Sequence, residues 1–355
     1  MAVTAQHTGS ILKGLLISLC GGLLFSFLHI PLPWMLGPLF VTGGVSIRGG
    51  SISAIPGGRQ AGQLIIGSAL GQYFSPEITR QILAHGWVIL LAGVSTLGFA
   101  WLGGKLLQRI SGIEGTTAFF ASVPGGAAEM AILGERAGAR FHLVALSHSL
   151  RILLVVSTVP LLLTWSGASG TDAYDPLARL VSPSGLALLL AMAVVGGLLF
   201  SRVNIANAWF LGPLAVSFLF TVNGFSLSAM PPPLIIIAQL LIGWALGVRF
   251  EPELRKESHR FLLGTLASAL LTLALSLLLA LVIAKAHGIP MPTMALATAP
   301  GGISEMCVTA KILKLGVPLV TSFHVARIAI LLTLTLPLWR LIQARAIRPG
   351  ERCDC

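Results

Sequence analysis

The sequence predicts an all-α polytopic membrane protein made of two inverted-topology repeats, with broken or re-entrant helices at two Pro-Gly-Gly segments. Three observations carry this expectation. Of 355 residues, 55% are hydrophobic and 10% charged, with a mean hydropathy of +0.89, whereas a soluble domain carries roughly 25% charged residues. Apolar stretches able to cross a hydrocarbon core of ~30 Å recur at 86–104, 183–200, 261–284 and 317–339. The second half of the chain also repeats the first.

The repeat is read directly from the residues. Gly21-Gly22-Leu23-Leu24-Phe25 recurs as Gly196-Gly197-Leu198-Leu199-Phe200, and Trp34-Met35-Leu36-Gly37-Pro38 as Trp209-Phe210-Leu211-Gly212-Pro213, both 175 residues later. After one residue of slip the offset is 176: QLIIGSALGQYFSPE at 63–77 matches QLLIGWALGVRFEPE at 239–253 at 10 of 15 positions. At that offset Pro124-Gly125-Gly126 matches Pro300-Gly301-Gly302, and Glu129, His148 and Arg151 match Glu305, His324 and Arg327. The expected organisation is a membrane repeat over 1–170, a linker over 171–182, a second membrane repeat over 183–342 and a cytoplasmic tail over 343–355.

Taken in order, the first copy holds six apolar segments, at 11–28, 33–47, 60–74, 84–104, 115–133 and 141–165. The first follows Lys13 and lacks a small-x-small cleavage signature, so it reads as a retained helix rather than a signal peptide. Segments 33–47 and 60–74 are short for full spans, and the number of crossings stays open. Segment 115–133 contains Pro-Gly-Gly, a break at membrane depth that is tolerated only where it faces protein or a water-filled cavity.

Basic residues arbitrate the topology, because cytoplasmic loops carry the Lys and Arg excess. With twelve crossings and the N-terminus inside, the loops hold 11 basic residues inside and 10 outside. If each Pro-Gly-Gly segment enters and leaves on one side, the tally becomes 16 against 5. Making the Trp-x-Leu-Gly-Pro segment re-entrant instead yields 10 against 11. The Pro-Gly-Gly segments are therefore expected to be re-entrant, each copy crosses an odd number of times, and the copies are inverted, as in many secondary transporters. If the two short segments also fail to cross, the tally is 14 against 7 and the inversion survives. The expected location is a bacterial cytoplasmic (inner) membrane, multi-pass, with both termini cytoplasmic.

Ionisable residues within a membrane are expensive and are functional candidates. Glu129 and Glu305 follow their Pro-Gly-Gly at a point where a helix restarts, with its amides and positive dipole end aimed into a cavity. His148 and Arg151, like His324 and Arg327, are three apart and share a helix face. Two readings of these groups stand side by side. In one, Glu and Arg neutralise each other and staple the re-entrant segment to the next helix. In the other, Pro124, Gly125, Gly126, Glu129, His148 and Arg151, with Pro300, Gly301, Gly302, Glu305, His324 and Arg327, build one substrate or ion site. There the carboxylates hold protons or cations, and the His and Arg shape the cavity. Gln63 and Gln239 precede Gly67-x-x-x-Gly71 and Gly243-x-x-x-Gly247, a pattern of close helix packing. Trp34 and Trp209 are expected as interface anchors.

Several functions are set aside. The net charge of +11 is spread singly through short loops, which fits topology rather than nucleic acid. Cys20, Cys307, Cys353 and Cys355 have no metal-ligand or disulfide spacing, and phosphate-loop, dinucleotide, zinc-protease and nucleophile-elbow patterns are absent. No cofactor, metal or catalytic residue is expected. The expected partners are the lipid bilayer and a small molecule or ion, without direct nucleic acid, and the oligomeric state is open.

With SVPGGAAEM and TAPGGISEM each followed by a helix bearing His and Arg, and WMLGPL and WFLGPL opening the halves, nearly the whole chain resembles the bacterial membrane AbrB family. That resemblance implies an internal duplication and two functional labels, ammonia monooxygenase and a regulator affecting an alkylation-response gene. Nothing here is similar to the small DNA-binding transition-state regulator of the same name. A copper or iron monooxygenase needs several converging ligands, and the histidines are scattered over 7, 29, 85, 142, 148, 259, 287 and 324. The expected function is transporter-like: secondary transport of a small polar or charged solute coupled to an ion or proton. The alternative is a membrane sensor or regulator acting indirectly on gene expression, and a monooxygenase is a weak third.

Overall fold

The computed structural model describes residues 2–170, 176, 180–250 and 257–346. Most of the expected linker and tail, including Cys353 and Cys355, lies outside the described residues. The described secondary structure is entirely helical. The first copy comprises α1 (Ala2–Phe27), α2 (Pro33–Ile47), α3 (Gly58–Gly71), α4 (Pro76–Ala84), α5 (Gly86–Ser111), α6 (Gly115–Ser122), α7 (Ala127–Glu135) and α8 (Phe141–Trp165). The second comprises α9 (Pro183–Arg202), α10 (Ala208–Val222), α11 (Pro232–Gly247), α12 (His259–His287), α13 (Met291–Thr298), α14 (Ile303–Ile312) and α15 (Val317–Ala346).

Six helices, α1, α5, α8, α9, α12 and α15, are long and apolar enough to cross a membrane. Their outward faces leave Leu16, Leu23, Phe27, Leu263 and Leu270 exposed, the side that lipid covers. The chain is a multi-pass membrane protein. Helices α2 and α10 have 15 residues each, about 22 Å of rise, and both begin from a left-handed residue, Leu32 and Asn207. One helix was not foreseen. Ser75 caps α4 by accepting from the Ile78 N–H, Pro76 stands at its first position and Glu77 in its first turn. These are ordinary helix-start signals that a search for apolar spans passes over, because α4 buries none of its residues.

Small residues let the two copies interlock. A Cβ on Gly67 or Gly71 would strike the α10 backbone at Phe210 or Leu214, and one on Gly243 or Gly247 would strike α2 at Met35 or Leu39. The Gly-x-x-x-Gly patterns are thus contacts between copies. Trp34 and Trp209, expected as interface anchors, seat their rings on Gly22 and Gly197 of the preceding helix.

The pairing of α5 with α12 fixes the relative direction of the copies. These helices occupy equivalent positions in the repeat, and they pack side by side. His85 at the start of α5 contacts His287 at the end of α12, Gly103 faces Ser268, and Leu107 faces Gly264. Residue numbers rise along one helix as they fall along the other, so the two are antiparallel. Equivalent spans that run in opposite directions make the repeats inverted.

Each Pro-Gly-Gly segment folds as a helical hairpin. The Arg140 N–H donates to Thr117 Oγ1 at 3.0 Å, and Gly134 at the end of α7 packs on Phe120 in α6. A straight helix would hold residues 117 and 140 about 35 Å apart, so the chain returns to the side from which it entered. In the second copy Gly316 lies against Thr293, the same pair one repeat later. Each entering arm, α6 or α13, has 8 residues, about 12 Å of rise, and so reaches roughly the middle of a ~30 Å core.

Candidate functional site

At each tip the helix stops with carbonyls exposed. In α6 the last backbone bond is from the Val123 N–H to Phe119 O, and Pro124, placed where a donor for Phe120 O would come, has no N–H. Orphan carbonyls in lipid are costly. His148 of α8 supplies one donor, with Nε2 at 3.0 Å from Phe120 O. Ser147 donates to Ala121 O at 3.1 Å, and Arg151 donates to Val123 O at 3.1 Å, which also accepts from the Gly125 N–H, and to Gly125 O at 3.5 Å. Arg151 also donates to His148 Nδ1 at 2.9 Å; since guanidinium only donates, that nitrogen accepts and the ring proton sits on Nε2.

The second copy repeats the clamp. His324 Nε2 lies 2.9 Å from Leu296 O, and Arg327 donates to Ala299 O at 2.5 Å and Gly301 O at 2.7 Å. His148, Arg151, His324 and Arg327 are all buried. Each pair therefore holds a hairpin to the following long helix through backbone carbonyls.

The tip glycines answer to the carboxylates. Gly126 and Gly302 are the residues before α7 and α14, and Glu129 and Glu305 stand in the first turns. A Cβ on Gly126 would collide with the Glu129 carboxylate, and one on Gly302 with that of Glu305. Each carboxylate is folded back over its own helix N-terminus, where the macrodipole stabilises negative charge. The guanidinium groups sit at the C-terminal ends of α6 and α13, where the dipole stabilises positive charge. This arrangement replaces the direct Glu–Arg neutralisation considered from sequence. Among the described residues the close contact between a carboxylate and a basic side chain is the hydrogen bond of His142 with Glu257, at 2.8 Å.

The two tips meet at one cavity of about 80 Å³. Of the residues singled out from sequence, it is lined by Pro124, Gly125, Gly126, Glu129 and Arg151 of the first copy and Gly301, Gly302, Glu305 and Arg327 of the second. His148, His324 and Pro300 do not line it, and the histidine ring nitrogens on the hairpin side are already committed to carbonyls. Sequence reasoning missed Arg59, Asn207 and Arg249, which also line the cavity. Those three have no counterpart in the other copy: the equivalent positions hold Ile235, Leu32 and Tyr73. A search keyed to repetition passes over such residues; the signal was basic or polar residues at ends of short apolar helices.

The same three residues and Glu129 border a second, larger cavity of about 500 Å³, with Gln63 and Trp209. It forms a vestibule to the central cavity. Among the described residues the second side has no matching cavity lining at the positions equivalent to Asn207, Arg59 and Arg249: Leu32 is 2% exposed and Ile235 8%, and Lys311 Nζ stands 5.8 Å from the centroid of the Tyr73 ring. Glu129 is half-buried at the vestibule, while Glu305 is 2% exposed. Among the described residues no three His, Cys, Asp or Glu side chains gather as metal ligands.

Comparison with known proteins adds relatives of similar length. A family model described as "Transition state regulatory protein AbrB" matches residues 34–343. A protein of Bacillus subtilis (strain 168) named "Uncharacterized protein YhjN" is 25% identical over 351 residues, covering 92% of this chain and 91% of its own. One of Escherichia coli (strain K12) named "Putative regulator AbrB" is 27% identical over 312 residues, covering 87% of this chain and 90% of its own.

Proposed function

The chain belongs to the AbrB family, and from that premise we propose that it is a secondary transporter for a small polar or charged solute, coupled to a proton or another ion. The observation that carries this reading is the meeting of two oppositely directed re-entrant tips at a cavity that shares Arg59, Glu129, Asn207 and Arg249 with a larger vestibule. Inverted repeats can exchange conformations, and the exchange moves the opening to the other side of a fixed site. Glu129 and Glu305 are the proton or cation sites in this reading. Their carboxylates lie beside the cavity and the helix N-termini, so protonation changes the charge available there.

The proposed setting is the bacterial cytoplasmic membrane with both termini inside. The vestibule, flanked by Arg59 and Arg249 on the side richer in Lys and Arg, then opens to the cytoplasm.

The test is flux into proteoliposomes holding the purified full-length protein, with a metabolite panel under imposed proton and sodium gradients. Gradient-driven uptake or efflux of one solute class is expected, with the coupling lost in Glu129→Gln or Glu305→Gln. Accessibility gives a second readout. A cysteine at 129 should react with an impermeant thiol reagent from the Lys- and Arg-rich side, and one at 305 should react at least roughly tenfold more slowly until a gradient is imposed. The name of the Escherichia coli relative, "Putative regulator AbrB", favours the second reading, a membrane sensor that binds at the same cavity without passing its ligand. Saturable binding with no flux under any gradient would select the sensor.

A further inference from the structure

Arg59, Arg151, Arg249 and Arg327 line the central cavity with only Glu129 and Glu305 to balance them. Ionised, the lining carries two positive charges in excess. Both Arg151 and Arg327 are 4% exposed, and each leaves its Nε without a partner, as does Arg59. The α7 and α14 N-termini border the same space and add positive potential, while the C-terminal ends of α6 and α13 offset part of the Arg151 and Arg327 charge. We infer that the substrate is a small carboxylate anion, bound with its carboxylate at the hairpin tips in place of the Glu129 carboxylate. The inference rests on the reading of this cavity as the substrate site.

Chemistry and size both select this class. The tips already receive a carboxylate each, so their shape suits that group. A cation would enter a lining that is net positive, and a neutral solute would leave the excess charge uncompensated, which is costly away from water. A cavity of about 80 Å³ takes a group of a few heavy atoms, and a longer body would extend into the vestibule. Arg59 and Arg249, at the vestibule, attract anions to the entrance. When Glu129 takes a proton, its hold on the α7 N-terminus weakens and the substrate carboxylate replaces it. One proton and one carboxylate thus enter together.

The test is equilibrium binding of radiolabelled acetate and succinate to the full-length protein in proteoliposomes, with choline and glucose as controls. Saturable carboxylate binding is expected, uncompeted by choline. Arg249→Gln should weaken it roughly tenfold, the loss of one charge-assisted contact, and Arg249→Lys should retain most of it. Absence of saturable carboxylate binding in protein that melts cooperatively, or binding unchanged in both Arg249→Gln and Arg59→Gln, overturns the inference. Flux of a cation or neutral solute alone overturns the substrate class and leaves transport standing. Carboxylate binding without flux does the reverse.

The Lys311–Tyr73 contact carries a second inference. It joins the second hairpin to the end of α3 on the side away from the vestibule. The repeat offset of 176 places Glu135 and Arg249 at the same two positions on the vestibule side, at the ends of α7 and α11, where both are exposed. We propose that Glu135 and Arg249 form an ion pair when that side closes, the counterpart of the Lys311–Tyr73 contact. With the native cysteines replaced by serine, a short bis-thiol-reactive crosslinker should join the Glu135→Cys/Arg249→Cys pair, and the Tyr73→Cys/Lys311→Cys pair serves as control. A crosslink at the control pair alone overturns the gate. None at either pair removes the symmetry premise and the gate with it.

Discussion

In the first hairpin Glu129 is half-buried and borders a vestibule, whereas in the second its counterpart Glu305 is 2% exposed behind Tyr73 and Lys311. The clamps differ as well. Arg327 donates to two carbonyls, while Arg151 donates to two carbonyls, one of which also takes the Gly125 N–H, and to His148. Identical residues in the two copies thus sit in a buried arm and in one that borders the vestibule. The difference teaches that the repeated internal pattern builds the hairpins, while the unrepeated residues around them, Arg59, Asn207 and Arg249 against Ile235, Leu32 and Tyr73, set which arm borders the vestibule.

The largest test of that contrast is removal of the guanidinium. Arg327→Leu should destabilise by about 3–5 kcal/mol, because two buried carbonyls at a packed tip lose their donors at once. Arg151→Leu should cost clearly less, because Val123 O keeps the Gly125 N–H as donor, and the comparison is read from melting temperatures of the detergent-solubilised proteins. Equal losses would mean that the Gly125 N–H does not relieve Val123 O and the contrast is broken.

A smaller effect separates the glycines. Gly302→Ala drives a Cβ into the Glu305 carboxylate, which borders only the small central cavity and not the vestibule, and should cost about 1–3 kcal/mol as overpacking. At Gly126 the Glu129 carboxylate can swing toward the vestibule, so Gly126→Ala should cost under about 1 kcal/mol. The histidines sharpen the contrast in the other direction. His148→Ala removes both the donor to Phe120 O and the acceptor of Arg151, while His324→Ala removes only the donor to Leu296 O. The first should exceed the second by about 1 kcal/mol, one hydrogen bond. An excess at His324 would show that the second clamp depends on a contact beyond that carbonyl.

Much of the architecture was legible in the residues because lipid restricts what a backbone can do. Glycine and proline at membrane depth mean a break, and a break needs cover. The basic loops then implied that each break is a return rather than a crossing, which the Thr117–Arg140 and Thr293–Gly316 contacts display directly. Amphipathic α4 was not legible as a span, since it is too short and polar to register as one, although its Ser75-Pro76-Glu77 start was written plainly. The partners of Arg151 and Arg327 were also misjudged. Charge alone suggested Glu129 and Glu305, but the nearest needy groups were backbone carbonyls that no side-chain inventory counts.

By itself the sequence determined that the chain is a duplicated membrane protein with two opposed broken segments, because hydropathy, repetition and loop charge are properties of residues in order. Only the tertiary structure decided that the tips share one cavity, that histidine serves the hairpin rather than the cavity, and that one arm borders the vestibule while the other is buried. Those outcomes depend on distances between residues that no spacing encodes. They also depend on unrepeated side chains whose meaning appears only once the two halves are packed together.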